Sequence, residues 1–228
     1  MISVIIPALD AERTLAAVLT ALVSAAVEGL VKEVIVVDGG SSDATAAIAN
    51  QAGARVLTRS GGRGYQLLAA ARLARFPWLM FLHADTVLES GWEREVETFI
   101  ARTDSGGRPV AAAFRFALDD TGLAPRLLER AVALRCALLR LPYGDQGLLI
   151  PAPLYASIGG YQPLPLMEDV DLLKRLRRNQ VVMLRARAMT GALRYRRDGY
   201  LRRPARNLSV FTLYHLGVPT RVLLRLYR

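Results

Sequence analysis

Cysteine, lysine and long apolar runs are scarce in this sequence, and each scarcity excludes a class of protein. Cys136 is the single cysteine among 228 residues, so an intrachain disulfide is excluded and a reducing compartment is expected. No uncharged apolar run approaches the roughly 18–20 residues that span a bilayer. The first residues carry no basic segment ahead of their apolar run, so we predict no signal peptide. These features favour a cytoplasmic protein.

Positive charge in this chain is almost entirely arginine. Lys32 and Lys174 are its two lysines, while the formal net charge is +10. A guanidinium donates two parallel hydrogen bonds to a phosphate or carboxylate, which an ammonium does not. The charge therefore indicates an anionic partner, although solubility or a genome rich in arginine codons explains most individual arginines equally well.

The length and composition are those of one globular unit. Apolar residues make up 52% of the chain and charged residues 22%, which argues against disorder. We predict a single domain, 1–228, whose first half (1–103) ends in a loop-like segment rich in glycine. A second half (104–184) and a basic tail (185–228) follow.

Short β-branched apolar runs alternate with helical patterns in the first half. The predicted strands are 3–6, 34–37, 55–58 and 78–82. This alternation predicts an α/β fold with a parallel sheet and right-handed crossovers. The first predicted strand is not followed by G-x-G-x-x-G or a P-loop, which counts against dinucleotide oxidoreductases and P-loop NTPases.

Acidic residues follow two of these strands. Asp38 comes directly after 34–37, ahead of two glycines and two serines, and His83 and Asp85 follow 78–82. Ligands of open α/β sheets bind at the carboxyl ends of the strands, so these side chains are candidate ligand contacts. Turns and helix N-caps use the same residue types, and at this point both interpretations stay open.

A glycine-rich loop, 60–66, precedes the predicted helix 67–75 and contains Arg63. Backbone N–H groups at a helix N-terminus, together with a guanidinium, form a suitable cradle for a diphosphate.

The second half offers two further acidic clusters. Asp119 and Asp120 resemble a metal pair, but turn chemistry explains them more simply. Glu168, Asp169 and Asp171 precede or begin a helix predicted at 172–178, where the helix dipole favours acids. One of these carboxylates could instead face an acceptor hydroxyl.

The rest of the second half predicts strands at 110–118, 148–150 and 181–184 and a long helix ending near residue 140. The tail, 185–228, holds eleven arginines against a single acid, Asp198. Leucines and aromatic residues are interleaved with these arginines, which predicts basic amphipathic helices suited to an anionic surface.

Taken together, these segments resemble the family 2 glycosyltransferases, which have the GT-A fold. The matching segments, in chain order, are Val4-Ile5-Ile6-Pro7-Ala8, Val36-Val37-Asp38-Gly39-Gly40-Ser41-Ser42-Asp43, Gly62-Arg63-Gly64-Tyr65-Gln66, Leu82-His83-Ala84-Asp85-Thr86, Gly159-Gly160-Tyr161 and Glu168-Asp169. They span about residues 2–180. His83-Ala84-Asp85, Gly144-Asp145-Gln146-Gly147 and the arginine-rich tail are similar to a bacterial subgroup labelled arsenosugar-type or selenium-associated glycosyltransferases.

The resemblance implies an α/β, GT-A fold: a Rossmann-like, mostly parallel central sheet flanked by helices, with a basic helical C-terminal tail. It also implies a UDP- or GDP-sugar donor. Ala8 and Asp38 match the positions that hold the base and ribose, with Glu12 assisting. Arg63 and Gln66 match the loop that approaches the diphosphate or the sugar.

The resemblance further implies a divalent metal, Mn²⁺ or Mg²⁺, and a catalytic base. Asp85 matches the last carboxylate of the D-x-D metal motif, whereas His83 stands where the family has its first aspartate. Histidine binds transition metals or donates to a ribose, but it does not replace a hard carboxylate toward Mg²⁺. Asp169 matches the base that deprotonates the acceptor, and Glu168 is its neighbour.

The predicted function is an inverting, metal-dependent sugar transfer to an unidentified hydroxyl acceptor. A sugar-phosphate nucleotidyltransferase is one alternative, but it would place the glycine–arginine loop after the first strand, at 8–12. A non-catalytic nucleic-acid or membrane-surface binder is another, and such a protein has no use for carboxylates at strand ends. We predict no nucleic-acid partner, and leave open a homodimer and a contact of the tail with the inner membrane face.

Overall fold

The chain folds into one mixed β-sheet covered by helices, in a computed structural model that describes residues 1–227. The strands are β1 Ile2–Ala8, β2 Val31–Asp38, β3 Arg55–Thr58, β4 Trp78–Phe81, β5 Thr86–Leu88, β6 Ala111–Asp119, β7 Leu148–Pro151 and β8 Val181–Gly191. The helices are α1 Leu15–Thr20, α2 Val23–Val27, α3 Thr45–Gln51, α4 Arg63–Ala71, α5 Trp92–Ser105, α6 Leu123–Leu139, α7 Ala152–Ser157, α8 Glu168–Lys174, α9 Leu193–Asp198, α10 Arg202–His215 and α11 Thr220–Tyr227. Two 3₁₀ turns lie at Gly144–Gln146 and Arg178–Gln180.

Within residues 1–227 the sheet has eight strands in the order β3-β2-β1-β4-β7-β6-β8-β5. Strands β1 to β4 are parallel, as is the pair β6 and β8, whereas β7 is antiparallel to both β4 and β6, and β5 is antiparallel to β8. This arrangement confirms the predicted α/β fold with a mostly parallel sheet flanked by helices. The sheet is continuous from the first half of the chain into the second.

Alternate residues of β1 fill two separate hydrophobic cores. Val4 and Ile6 pack on the face that carries Leu15 of α1, while Ile5 packs on the other face with Leu67 of α4. All five side chains are buried. Fully burying an aliphatic side chain stabilises the fold by about 1.5–3 kcal/mol. The two-sided burial explains why β1 is an almost unbroken apolar run.

Strand β1 continues one residue beyond Pro7, where the sequence predicted it to stop. Ile5 accepts a hydrogen bond from Leu82 N, so its polar backbone groups face β4. Pro7, two residues on, faces the same side, but the pairing of β1 with β4 has ended at Ile5 and Phe81. The lack of an N–H at Pro7 therefore removes no hydrogen bond between β1 and β4, and the strand tolerates proline.

Strand β8 is longer than predicted and takes in the first part of the predicted tail. Its burial alternates, with Arg185, Arg187 and Met189 exposed and the residues between them turned inward. The helical tail therefore begins at Leu193, and the two arginines at the start of the predicted tail belong to the outer face of the sheet.

The tail helices pack against the segment that leads into α8. Val210 of α10, Leu223 of α11 and Leu166 form a buried cluster, with Met167 packed against it. The tail therefore has a structural role beside the predicted catalytic acids. Each helix within residues 1–227 is too short or too polar to span a bilayer.

Two helices start earlier than the sequence predicted. Helix α8 begins at Glu168, after Met167 adopts a left-handed conformation with φ of 64°, and helix α4 begins at Arg63. Arg63 and the pair Glu168 and Asp169 therefore lie in the first turns of their helices, where backbone N–H groups have no partner within the helix.

Candidate active site

Sheet topology brings the predicted site segments to one edge. In parallel strands β1 and β2, Ala8 pairs with Asp38, so both lie at the carboxyl edge. Strand β7 runs antiparallel to β4 and pairs Leu148 with Phe81. The turn Gly144–Gln146 that precedes β7 consequently arrives at the same edge.

Asp38 forms one wall of this edge. It is buried, and its carboxylate accepts hydrogen bonds from the backbone N–H groups of Gly40 and Ser41, at 3.1–3.2 Å. Glu12 lies on an exposed loop, where its Oε2 accepts from Ala44 N at 3.2 Å. The structure thus holds Asp38 rigidly at the strand end, whereas Glu12 links the loop after β1 to the start of α3.

Gln66 ties the ends of β1 and β2 together. It is buried, and its Nε2 donates to Ala8 O at 3.3 Å and to Val37 O at 3.2 Å. The Gln66 side chain, which was predicted to approach the donor, therefore donates its hydrogen bonds to the backbone of the sheet. Gln66 therefore fixes the backbone of β1 at Ala8 and the backbone of β2 at Val37, next to Asp38.

Arg63 links the glycine-rich loop to two other parts of the chain. Its Nε forms an ion pair with Oε1 of Glu168, and its Nη1 lies 3.1 Å from Nε2 of His83. Glu168 is buried; burial raises the pKa of this carboxyl, and the Arg63 charge opposes that rise. This contact fixes the guanidinium at the end of β4.

His83 carries little positive charge in this setting. Burial is the largest cause that lowers the pKa of His83 well below its usual range, and the charges of Arg63 and Arg194 lower it further. A neutral imidazole can accept a hydrogen bond at Nε2, which is the nitrogen facing Arg63. The residue that replaces the first aspartate of the D-x-D motif therefore contacts a cationic side chain in this structure.

Asp169 lies at the start of α8, and two backbone N–H groups, one from the Gly144–Gln146 turn and one from α8 itself, bind its carboxylate. Its Oδ2 accepts from Gly144 N at 2.8 Å, and its Oδ1 accepts from Val170 N at 2.8 Å. A Cβ added at Gly144 would lie 2.7 Å from Nε2 of His83 and 3.2 Å from Oδ2 of Asp169. Only a residue without a side chain fits between these two groups.

Asp145 is a site residue that sequence reasoning did not select. It is half-buried, and its Oδ1 is buried with no hydrogen-bond partner among residues 1–227. Burial first, and then the charges of Asp169 and Asp85, raise its pKa to about 6, while Arg135 and Arg63 oppose the rise. Thr190 donates to its backbone carbonyl at 3.3 Å. A glycine–aspartate turn directly before a buried strand was the available sequence signal.

Asp85 lies two residues beyond His83, and its carboxylate makes no hydrogen bond or ion pair with another residue of the described chain. Among residues 1–227 no three His, Cys, Asp or Glu side chains converge in a way that would hold a metal ion. Mg²⁺ characteristically takes one or two carboxylates and completes its shell with water and substrate phosphates. The half-buried carboxylate of Asp85 and the Oδ1 of Asp145, neither of which binds another described residue, fit a cation held in that way.

The structure therefore brings Arg63, His83, Glu168 and Asp169 into one contact network, with Asp85 and Asp145 beside it. Asp120, in contrast, is taken up by hydrogen bonds from Arg196 and Tyr200, which lower its pKa together. Asp119 thus ends β6, and Asp120, directly after it, anchors the tail.

The family model described as "Glycosyl transferase family 2" matches residues 3–131, more than half of the chain. The chain belongs to glycosyl transferase family 2.

One curated protein and several solved structures are similar to this chain. The chain is 38% identical over 95 residues to glucosyl-3-phosphoglycerate synthase of Mycolicibacterium paratuberculosis, which covers 38% of this chain and 29% of that protein. A crystal structure of a mycobacterial protein superposes with a TM-score of 0.58 and 25% identity, covering 84% of this chain and 65% of that one. The chain thus spans less than two thirds of the length of these relatives.

Glucosyl-3-phosphoglycerate synthase of Mycobacterium tuberculosis, in complex with Mn²⁺, uridine diphosphate and glucosyl-3-phosphoglycerate, gives a TM-score of 0.56 at 23% identity. A complex of that protein with Mg²⁺ and uridine diphosphate gives 0.57 at 23% identity. The superposition on the complex with Mn²⁺ covers 84% of this chain and 70% of the M. tuberculosis chain. At this level of identity the likeness establishes a shared fold.

Proposed function

We propose that the chain transfers a sugar from a nucleoside diphosphate sugar to a hydroxyl acceptor, with inversion at the anomeric carbon. The observation that carries this proposal is the contact network at the sheet edge. The His83 ring, which Arg63 contacts, and the Asp169 carboxylate both lie within 3.2 Å of the position that a Gly144 Cβ would take. A guanidinium for the leaving group and a base for the nucleophile thus lie close together at the bare Cα of Gly144.

The donor would bind along the ends of β1, β2 and β4. Asp38 offers a carboxylate to the ribose or base, and Arg63 offers its guanidinium to the diphosphate. Guanidinium donors placed where negative charge develops stabilise the departing nucleoside diphosphate. The homologous structures contain uridine diphosphate, so we propose a UDP-sugar donor, with a GDP-sugar as the alternative tested beside it.

A divalent cation, Mn²⁺ or Mg²⁺, fits beside Asp85 and Asp145. When bound, it would supply positive charge to the diphosphate oxygens of the leaving group. Asp145 would contribute the second hard carboxylate in place of the D-x-D aspartate that His83 replaces. Since few protein ligands are available, we expect tight metal binding only when a nucleotide diphosphate is present.

Asp169 would take the proton from the acceptor hydroxyl as the new bond forms. Its two hydrogen bonds from backbone N–H groups fix the direction of the carboxylate. Glu168 is buried and forms an ion pair with Arg63, so its proposed role is to position Arg63. Direct attack on the anomeric carbon inverts it, and a carboxylate base suffices for that step.

The acceptor side is bounded by α8 and the tail helices packed on Leu166. We propose that the tail forms a wall of the acceptor pocket. Phosphoglyceric acid appears with the homologous M. tuberculosis enzyme and is therefore the first acceptor to test. A cytoplasmic location, a homodimer, the arsenosugar-type subgroup and a membrane contact of the tail stay predictions.

The first experiment is a thermal-shift panel of UDP- and GDP-sugars, each with Mn²⁺, Mg²⁺ or no metal. We expect stabilisation by one nucleotide class that depends on metal, and sugar transfer by the wild-type chain to a hydroxyl acceptor. Asp85→Asn and Asp169→Asn are then compared with Asp104→Asn, an exposed aspartate away from the site. Unchanged donor turnover in both site variants would overturn the proposal.

A further inference from the structure

Helix α6 has an unusually exposed apolar face. Pro125 and Cys136 are its only buried residues within the described chain. Leu123, Leu127, Leu134 and Leu138 are 76%, 56%, 60% and 60% exposed. At 3.6 residues per turn, these four leucines fall within about 60° of the helix circumference. A leucine stripe of this length on a globular protein indicates a surface that contacts something apolar.

A cluster of arginines borders this leucine stripe. Arg126 and Arg130 of α6, with Arg115 of β6 and Arg187 of β8, line a surface cavity of about 290 Å³. Arg126 is paired with Glu129 at 2.7 Å. Arg115 and Arg130 form no ion pair with another residue of the described chain. Positive charge is therefore available immediately beside the stripe.

We propose that this leucine–arginine face of α6 docks on the surface of an anionic lipid bilayer. The leucines would enter the boundary between headgroups and acyl chains, and the arginines would bind lipid phosphates in the cavity. Amphipathic helices bind membranes when an apolar face and basic residues act together. The helix would lie in the plane of the membrane.

Charge complementarity favours a membrane over a second copy of the chain. A symmetric contact would place the same basic patch on both subunits, so two surfaces of the same charge sign would face each other. Their repulsion would oppose the apolar contact. Anionic headgroups supply the opposite charge across the whole face.

The opposite side of α6 contacts the proposed active site. Arg135 Nη2 lies 3.1 Å from Gln146 Oε1, and Cys136 Sγ lies 3.2 Å from the same oxygen. Gln146 belongs to the turn that contains Gly144 and Asp145. Docking would therefore hold the proposed site near the membrane surface. This consequence rests on the proposed function, whereas the docking surface does not.

The test is flotation of the full chain with liposomes of phosphatidylcholine alone or with phosphatidylglycerol added. The variant Leu127→Glu/Leu134→Glu is matched by Val23→Glu/Val27→Glu on α2, which adds the same charge at exposed apolar positions. The variant Arg115→Gln/Arg130→Gln is matched by Arg94→Gln/Arg102→Gln on the exposed side of α5. Circular dichroism confirms that each variant is folded, and donor thermal shift is recorded in parallel.

We expect the wild-type chain to float with the anionic vesicles only, and Leu127→Glu/Leu134→Glu to stay in the soluble fraction. Loss of the two arginine charges should weaken partitioning by roughly tenfold or more, and both controls should behave as wild type. The proposal is overturned if the wild type does not float, or if the α6 variants match their controls. It is also overturned if Leu208→Glu/Leu216→Glu on the tail abolishes flotation while the α6 variants retain it. An unchanged donor thermal shift in the variants separates this result from the proposed transfer activity.

Discussion

Arg63 and Glu168 form an ion pair across 105 positions of the sequence. Arg63 begins helix α4 and Glu168 begins helix α8, so the pair joins the first turns of two helices from different halves of the chain. Glu168 is 1% exposed, whereas the Arg63 side chain is 34% exposed. The carboxylate is therefore the buried anchor, and the guanidinium is the group presented to the site.

Glu168→Gln tests this division of roles. The amide keeps the shape of the carboxyl but removes the charge that holds Arg63. The loss of a charged hydrogen bond costs roughly 1.5 kcal/mol or more, so we expect the KM for the donor to rise about tenfold. The kcat should change little. Asp171→Asn is the matched control, because it breaks an ion pair with Arg175 on the same helix. A large fall in kcat at unchanged KM would instead assign proton transfer to Glu168.

Asp169→Asn should show the opposite kinetic pattern. Removal of a general base typically costs about 10²–10⁴ in rate, so we expect kcat to fall by that range. Donor affinity, measured by thermal shift or calorimetry, should stay within about twofold of wild type because Asp169 lies on the acceptor side. If Asp169→Asn weakened donor binding and left kcat intact, its assignment as the base would be wrong.

Asp145→Asn addresses the proposed cation. We expect the affinity for Mn²⁺ in the presence of UDP, measured by electron paramagnetic resonance, to fall roughly tenfold or more, since one hard ligand is lost. Binding of Mn²⁺ without UDP should be weak in both proteins. An unchanged affinity in the ternary complex would remove Asp145 from the metal site.

The pH dependence of stability provides a second and independent test of Asp145. Its pKa rises from 3.8 to about 6 on folding, so the folded state holds this proton more tightly than the unfolded state. The ionised carboxylate therefore destabilises the native chain above pH 6, and this cost disappears as the pH falls below about 4.

Asp145→Asn should accordingly be more stable than wild type at pH 7.5 without metal, by at most about 3 kcal/mol, and the advantage should vanish near pH 4. Urea unfolding across this pH range measures it, with Asp104→Asn as the control. A variant that is less stable than wild type at pH 7.5 would contradict the raised pKa.

Three of the first four strands could be predicted from the sequence because each contains a short, continuous apolar run, whereas β3 has only Val56 and Leu57 between polar ends. The same property places Asp38, His83 and Asp85 at one sheet edge, since parallel strands end together. Helix starts were harder to predict: α8 begins four residues earlier than predicted, after a left-handed Met167 that carries no glycine signal. Strand β8 was partly mistaken for tail because arginines occupy its exposed positions.

The role of Asp145 could not be predicted from local pattern. Its approach to Asp85 depends on the antiparallel pairing of β7 with β4, which brings a late turn to an early strand end. The hydrogen bonds of Gln66 to the sheet could also not be predicted, because the two carbonyl groups that accept them come together only once β1 and β2 have paired. Contacts of this kind arise from tertiary structure alone.

The His83 ring and the Asp169 carboxylate share the space that a side chain at Gly144 would occupy. The smallest enlargement, Gly144→Ala, would act as a wedge and force the leaving-group side and the base apart. A chain with every reactive group intact would then be defective through geometry alone.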